Sequence, residues 1–143
     1  MFIGEYHHNL DVKGRLAIPT KFREALDGGA VVTRGLDTCL VLYTKAEWDV
    51  LATRLANMPI SASANRAFAR FMLAGAMDLE CDKQGRIIVP DYLRKYAKLG
   101  KTVVIAGLYN RFEIWNSDSW TTYTYNTEKS SGDIAERLGE LGV

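Results

Sequence analysis

The sequence predicts a mainly β protein with short helices, of the α+β class, built from two copies of one small unit. The first observation is a repeated segment: residues 11–23 read DVKGRLAIPTKFR and residues 82–94 read DKQGRIIVPDYLR. The second is that the similarity continues on both sides, so that each copy covers about 45 residues. The third is that short apolar runs, bounded by Gly, Asp or Pro, recur in both copies as strands do.

Each unit opens with an extended segment that leads into a tight turn, at residues 11–14 and at residues 82–85. An Asp at the start of a turn accepts hydrogen bonds from backbone N–H groups ahead of it, and a Gly supplies a positive φ. The residues predicted to shape the two loops are Asp11, Gly14, Asp82 and Gly85. Short apolar strands follow at residues 15–18 and 86–89, and each ends at a Pro.

A short helix is predicted after each of these prolines, since Pro is favoured in the first turn of a helix. The helices cover residues 22–26 and 92–97, and each ends near glycine. Two more strands then complete each unit. The four strands are predicted at residues 30–33, 39–43, 102–106 and 112–115. The unit is therefore β-turn-β-α-β-turn-β.

The segment between the units is not repeated and is predicted to be helical. Apolar residues at helical spacing predict a helix over residues 46–55, with Thr44 as a candidate N-cap and Pro59 as a break. A second helix is predicted over residues 63–73. Both are expected to pack, within the chain or between subunits, and not to carry chemistry.

After the second unit an aromatic run occupies residues 120–125. Aromatic side chains can stack on bases, but this run occupies the place of the helix that begins near Trp48, so packing is favoured. A polar tail follows, with a loose amphipathic helix over residues 134–141. The predicted organisation is a first unit, a helical linker, a second unit and a C-terminal helix with a polar tail, at residues 4–48, 49–73, 74–120 and 121–143.

This doubled Asp-x-x-Gly-Arg…Pro unit resembles the MraZ family, whose two halves each resemble the AbrB/SpoVT transcription-factor domain. The opening Met-Phe-x-Gly-Glu-Tyr and the segment Leu-Asp-x-Lys-Gly-Arg at residues 10–15 are also close to that family's pattern. The resemblance extends from residue 1 to about residue 123. It implies two units in a pseudo-twofold arrangement, whose strands interleave as swapped hairpins in a compact β-barrel-like core, with helices packed outside.

The same resemblance implies a sequence-specific DNA-binding regulator of transcription in the cytoplasm, associated with the nucleoid. Members of the family form rings of subunits and bind short repeated promoter boxes ahead of the division and cell-wall gene cluster, which they usually repress. AbrB-like folds also serve as antitoxins that capture a protein. The alternative is therefore a protein-interaction module in which the polar tail holds the partner.

Positive charge gathers on the repeated motif, although the net charge is only +1. Residues 13–23 contain four basic residues and no acidic one, and residues 83–101 contain six basic residues and one acid. Such a pattern is the electrostatic footprint of phosphate binding. A solvated basic face is the plain alternative, but it does not explain why both clusters fall on the same repeated element.

Arg15 and Arg86 directly follow the Gly turns, where a guanidinium is held on a rigid scaffold and can bind guanine O6 and N7, or phosphate, with two hydrogen bonds. Lys13 and Lys83 suit backbone phosphates. The alternative for each Arg is an ion pair with its own motif Asp, and both roles can coexist. Val-Lys in the first loop becomes Lys-Gln in the second, so equal contacts with DNA are not expected.

The sequence carries no pattern typical of an enzyme, a metal site or a cofactor site. His7 and His8 are adjacent and would face opposite sides of a regular strand, and no third ligand is near. Asp11 and Asp82 are interpreted as local caps and not as a catalytic pair. No apolar run approaches the roughly 20 residues that a membrane span needs. Cys39 and Cys81 lack metal-like spacing and are expected to be reduced thiols.

Overall fold

A computed structural model describes residues 1–143 and contains eight strands, six α-helices and two short helical extensions. The strands are β1 (Phe2–Asn9), β2 (Arg15–Ala17), β3 (Ala30–Arg34), β4 (Leu40–Thr44), β5 (Met77–Leu79), β6 (Arg86–Ile88), β7 (Thr102–Tyr109) and β8 (Arg111–Asn116). The helices are α1 (Thr20–Arg23), α2 (Lys45–Ala56), α3 (Ser63–Ala69), α4 (Asp91–Tyr96), α5 (Ser117–Lys129) and α6 (Ser131–Glu140). A 3-10 turn (Glu24–Leu26) continues α1, and a π-helical turn (Arg70–Ala74) continues α3.

The strand order shows how the two units are combined. Six strands form one antiparallel sheet in the order β1-β7-β8-β4-β3-β5, and β2 pairs with β6 in a separate antiparallel ribbon. β1, β7 and β8 are equivalent to β5, β3 and β4 of the other unit. Exchanging the two units therefore gives the same strand order, read from the opposite edge of the sheet. A pseudo-twofold axis therefore passes between β4 and β8.

The strands of the two units are interleaved as hairpins, as the resemblance implies: the hairpin β7–β8 lies between β1 and β4, and the hairpin β3–β4 lies between β8 and β5. β1 pairs with β7 of the second unit along all eight of its residues, and β4 pairs with β8 across the pseudo-twofold axis. The ladders do not close a barrel, because β1 and β5 are edge strands. Between the sheet and the ribbon there is only an isolated bridge, which joins Leu10, just after β1, to Leu16 of β2. The barrel-like closure stays a prediction.

One hydrophobic core serves both units. A single cluster of 19 buried residues draws on both sheets and on helices α1 and α4, so neither unit has a core of its own. This agrees with the expectation that 45 residues bury too little surface to be stable alone. Near its centre Phe22 contacts three other aromatic rings, those of Phe2, Tyr6 and Phe112, at centroid distances of 5.0, 5.2 and 5.4 Å.

The linker helices agree with the sequence in extent but not in detail. The Thr44 side chain accepts a hydrogen bond from the Glu47 N–H at 3.2 Å, which confirms the predicted N-cap of α2. The predicted second helix is present, but its last turn is π-helical. Its freed carbonyls find donors elsewhere: Met72 O accepts from the buried Thr33 hydroxyl at 2.6 Å, and Phe71 O from the Arg34 guanidinium at 3.2 Å.

This turn makes the two units unequal. Residues 73–75 align with residues 2–4 in sequence, yet they finish a helix where the first unit begins a strand. β5 consequently has three residues where β1 has eight.

At the C-terminal end, α5 continues to Lys129, so the tail predicted from residue 126 begins later, and it is helical from Ser131 to Glu140. No helix in the structure is both long enough and apolar enough to cross a bilayer.

The shared core predicts a large effect of truncation at its centre. We expect Phe22→Ala to lower the free energy of unfolding by about 3–5 kcal/mol, because it removes a buried ring and leaves a cavity among three others. Tyr125→Ala, at an exposed aromatic on α5, is the matched control and should change it by less than about 0.5 kcal/mol. Urea unfolding of both variants measures the difference, and equal effects would contradict a core centred on Phe22.

Candidate nucleic-acid interface

The first loop is closed by the carboxylate of Asp11. Its Oδ1 accepts hydrogen bonds from the backbone N–H groups of Lys13 and Arg15, at 3.0 and 2.9 Å, and its Oδ2 accepts one from Arg15 Nε at 2.6 Å. The Gly14 N–H donates to Asp11 O at 3.0 Å, and Gly14 has a φ of 83°. One acidic side chain therefore fixes both the turn and the arginine that follows it.

The second loop repeats this geometry. Asp82 Oδ1 accepts from the N–H groups of Gln84 and Arg86, both at 2.9 Å, and its Oδ2 accepts from Arg86 Nε at 2.9 Å. Gly85 has a φ of 75°. The expectation that the two Asp side chains cap their own loops agrees with these contacts, and so does the alternative that each Arg pairs with its own Asp.

The β2–β6 ribbon places the two arginines on one surface. Leu16 and Ile87 pair at its centre and are buried, so their neighbours along each strand face outward. The outward positions are those of Arg15, Ala17, Arg86 and Ile88. Arg15 pairs with Ile88, and Arg86 with Ala17, so the two arginines lie diagonally across the ribbon.

Each guanidinium retains free donors. Only Nε of Arg15 and Nε of Arg86 bond to protein; the Nη1 and Nη2 groups of both have no hydrogen-bond partner within the chain. About a third of each side chain is exposed. The pairing with Asp therefore orients the arginine and leaves its two Nη groups available for a ligand.

Each loop is supported by the other unit. The Ile18 N–H donates to Gly85 O at 2.9 Å, and the Val89 N–H donates to Gly14 O at 2.8 Å. The side chain of Arg94 lies against buried Gly14, and that of Arg23 lies against buried Gly85. We name these two contacts the arginine seats, after Arg23 and Arg94.

Both seat arginines lie on the short helices that follow the ribbon, Arg23 on α1 and Arg94 on α4. Arg23 Nε donates to Ile18 O at 2.8 Å, while Arg94 lies 3.7 Å from Asp91 and its Nε is buried without a partner. Sequence reasoning missed the seats themselves. The available signal was an Arg at the last position of the motif in both copies, at the same distance in sequence from the motif Gly.

The loop lysines differ between the copies. Lys13 and Lys83 are both exposed and form no ion pair, but they occupy different positions, since Lys13 corresponds to Gln84 and Lys83 to Val12. Val12 is 95% exposed. The two loops therefore share a backbone geometry and differ in the charge that they present.

The electrostatics of the loops follow from the capping bonds. The backbone N–H of Arg15, and then its guanidinium, lowers the pKa of the Asp11 carboxyl, and Arg86 has the same effect on the pKa of Asp82. Both carboxylates are therefore charged at neutral pH and are occupied within their own loops.

Other titratable groups form no site. His7 contacts Glu5 at 3.2 Å, burial lowers the pKa of His8, and no three His, Cys, Asp or Glu side chains are grouped to hold a metal. Cys39 and Cys81 are free thiols whose pKa values are raised by burial, which makes them poor nucleophiles.

Comparison with known proteins gives full-length matches. A family model described as "MraZ protein, putative antitoxin-like" matches the chain twice, over residues 1–71 and 72–140. The Transcriptional regulator MraZ of Pediococcus pentosaceus is 50% identical over 143 residues, which is all of both chains. Proteins of the same name are 49% identical in Halothermothrix orenii, again over all of both chains, and in Ligilactobacillus salivarius, over 96% of each.

The close approach at the first loop predicts a graded effect of adding a methyl group. A Cβ at Gly14 would lie 2.7 Å from Val89 O, a backbone atom, whereas a Cβ at Gly28, with a similar φ of 87°, would meet nothing within 4 Å. We expect Gly28→Ala to destabilise by about 1–2 kcal/mol, from φ alone. Gly14→Ala should cost at least about 1 kcal/mol more, measured by denaturant unfolding. Equal losses would mean that Val89 does not press on the loop.

The lowered pKa values of Asp11 and Asp82 predict acid sensitivity. A carboxyl whose folded pKa lies below its ordinary value of 3.8 stabilises the fold fully above that pH and stops doing so as the pH falls through the lowered pKa. The free energy of unfolding should therefore fall below about pH 4, and less steeply in an Asp11→Asn, Asp82→Asn double variant. Urea titrations from pH 2 to pH 6 provide the measurement; identical slopes would show that the capping bonds are not populated in solution.

Proposed function

The chain belongs to the MraZ family of transcriptional regulators, and from this premise we propose that it binds specific sites in double-stranded DNA through the outer face of the β2–β6 ribbon. The observation that carries the proposal is the pair of arginines on that face. Arg15 and Arg86 are each fixed by a carboxylate at Nε, while their Nη groups are unbonded and directed away from the core by the ribbon.

The spacing of the two arginines suits base recognition. Residues placed diagonally on an antiparallel pair are about 7–8 Å apart at Cα, which is close to two base-pair steps. The major groove of B-DNA is about 12 Å wide and admits a two-stranded ribbon. Each guanidinium can then donate from its two free Nη groups to O6 and N7 of a guanine, the commonest specific contact of arginine with a base.

The remaining outward residues of the ribbon are apolar. Ala17 is half-buried and Ile88 is exposed, and they occupy the other diagonal of the ribbon, each directly opposite one arginine. Apolar side chains of this kind contact the methyl group of thymine in the major groove. Lys13 and Lys83, in the loops, would contact the phosphates on either side, where a flexible point charge positions the protein without reading sequence.

One ribbon offers few contacts, so several must act together. Specific operator binding amounts to roughly 11–15 kcal/mol, which two arginines and two lysines do not supply. Linked ribbons in a ring-like homo-oligomer would bind repeated promoter boxes at high effective concentration. From the family resemblance, we propose that these boxes control the chain's own division and cell-wall gene cluster and that binding represses it.

Capture of a protein partner is a second candidate, and one observation favours it. Helix α6 bears Ile134, Leu138 and, just past its end, Leu141 on one side, and all three are exposed. The matching family model is itself described as antitoxin-like. Such a surface suits an apolar groove on another protein, whereas the helix carries a single basic residue, Arg137, against three acidic ones.

Replacing either arginine tests the main proposal. We expect Arg15→Ala to weaken binding to the promoter DNA by about 1–3 kcal/mol per contact, multiplied over the bound subunits, and Arg86→Ala to act in the same direction. The effect arises because two donors to one guanine are lost. Fluorescence anisotropy with duplexes that contain intact or scrambled boxes measures both affinity and specificity.

Three controls make that result interpretable. Arg54→Ala, on α2, changes the same charge away from the ribbon and should leave binding unchanged. Melting and oligomer size must match the parent, since the Asp–Arg pair also shapes the loop. A chain that ends at Ser130 lacks α6 and should retain DNA affinity. Parental binding by both arginine variants would refute the ribbon as the reading surface. Loss of a protein partner on truncation, with DNA affinity absent in both chains, would favour the second candidate.

A further inference from the structure

We propose that an open basic groove beside the first loop binds phosphates of the DNA backbone that flank the bases contacted by the ribbon, an inference that rests on the proposed function. The groove has a volume of about 830 Å³ and lies between the loop and the C-terminal end of α4. Its basic lining residues are Arg94, Lys95, Lys98 and Lys101. We call it the α4 groove.

The α4 groove is continuous with the proposed reading surface. Asp11 and Val12, from the first loop, form one of its walls. Arg94, whose side chain lies against Gly14 of that loop, also lines the groove. A duplex whose bases meet Arg15 therefore has its neighbouring backbone at the mouth of the groove.

Two of its cations are free to bind an anion. Lys95 is paired with Asp91 at 3.0 Å, and Arg94 lies 3.7 Å from the same carboxylate. Lys98 and Lys101 are exposed and form no ion pair. Lys98 also borders a second groove that contains Asp37 and Asp118, but neither carboxylate is within ion-pair distance of it. Asp11, the other acidic group in the α4 groove, is occupied by its own loop.

The backbone at Lys98 points to a role for its side chain. Lys98 follows the end of α4 with a φ of 54°, in the left-handed region, and the Leu99 N–H donates to Arg94 O at 2.9 Å to close the helix. Glycine is the usual residue at such a position because it has no Cβ. A lysine here accepts backbone strain and places a cation at the groove.

The equivalent surface beside the second loop has the opposite charge. Under the pseudo-twofold axis Lys95 corresponds to Glu24 and Lys98 to Asp27. A small cleft there is lined by Asp27 and Glu80. The surface beside the first loop therefore attracts phosphates, and the surface beside the second loop repels them. The DNA backbone is accordingly contacted over a longer stretch beside the first loop than beside the second.

The test uses substitutions that remove charge without disturbing the fold. Lys98→Gly removes the cation and relieves the left-handed strain, so its thermal midpoint should equal or exceed that of the parent. Lys101→Gln removes the second cation, and Lys129→Gln, on α5, is the matched control for charge. All are titrated in the full-length chain against promoter DNA and against a scrambled duplex, over a range of salt concentrations.

The expected result is a uniform loss of affinity. Each groove variant should bind about three- to sixfold more weakly per bound subunit at physiological salt, for both duplexes, with the slope of log K against log[salt] less negative by about 0.9. The ratio of specific to non-specific affinity should not change, in contrast to the arginine variants. Removal of the base pairs that flank the box should lower the DNA affinity of the parent, and should lower that of the Lys98→Gly variant by a smaller factor.

Each other outcome overturns the inference in a distinguishable way. If the parent binds promoter DNA and both groove variants match it in affinity and salt slope, the groove does not meet DNA while the ribbon proposal stands. If those variants keep DNA affinity but lose saturable binding of inorganic phosphate, the groove serves a free anion. If the parent itself binds neither duplex, the proposed function fails first.

Discussion

Reciprocal support between the two units is the constraint on which both the fold and the candidate interface depend. The N–H groups of Ile18 and Val89 donate to Gly85 O and Gly14 O, so each loop is hydrogen-bonded to a strand of the other unit. The central pair of this ribbon, Leu16 and Ile87, is buried in the common core. Neither loop can shift without breaking the β2–β6 ribbon, and neither unit can separate without exposing the core.

This constraint explains how the motif Asp and the motif Arg can combine a structural role with the proposed recognition of DNA. Since Asp11 binds Arg15 only at Nε, the ion pair and a contact with a base use different atoms of the guanidinium. The exposed pair adds little stability by itself. Its main effect is to reduce the rotamer freedom of Arg15, which lowers the entropy lost when a ligand binds.

Local sequence patterns were sufficient to predict the secondary-structure elements but not the tertiary contacts between them. The Asp and Gly of each turn, the apolar strands and the Thr44 cap were predictable because each depends on neighbours in sequence. The three-residue ribbon was not predictable, since it pairs residues far apart in the sequence, and the glycines before its strands lie against Arg94 and Arg23 of the other unit. The exchange of strands came from family resemblance alone. The π-helical turn depends on donors from Thr33 and Arg34, about 37–39 residues away, which no local window contains.

Fusion of two units in one chain allows them to diverge, which a dimer of identical units does not. Buried contacts have kept the symmetry: both turns and the central pair of the ribbon are equivalent, and in both seats an arginine of one unit lies against the turn glycine of the other. Exposed positions, by contrast, differ between the units: Lys13 is equivalent to Gln84, and Asp27 is equivalent to Lys98. A symmetric pair of loops would bind a duplex equally well in either direction. If the ribbon binds DNA as proposed, the unequal charge on its two sides makes the attraction of phosphates favour one direction over the other. The asymmetry of the surface would then give an otherwise twofold scaffold a polarity on DNA.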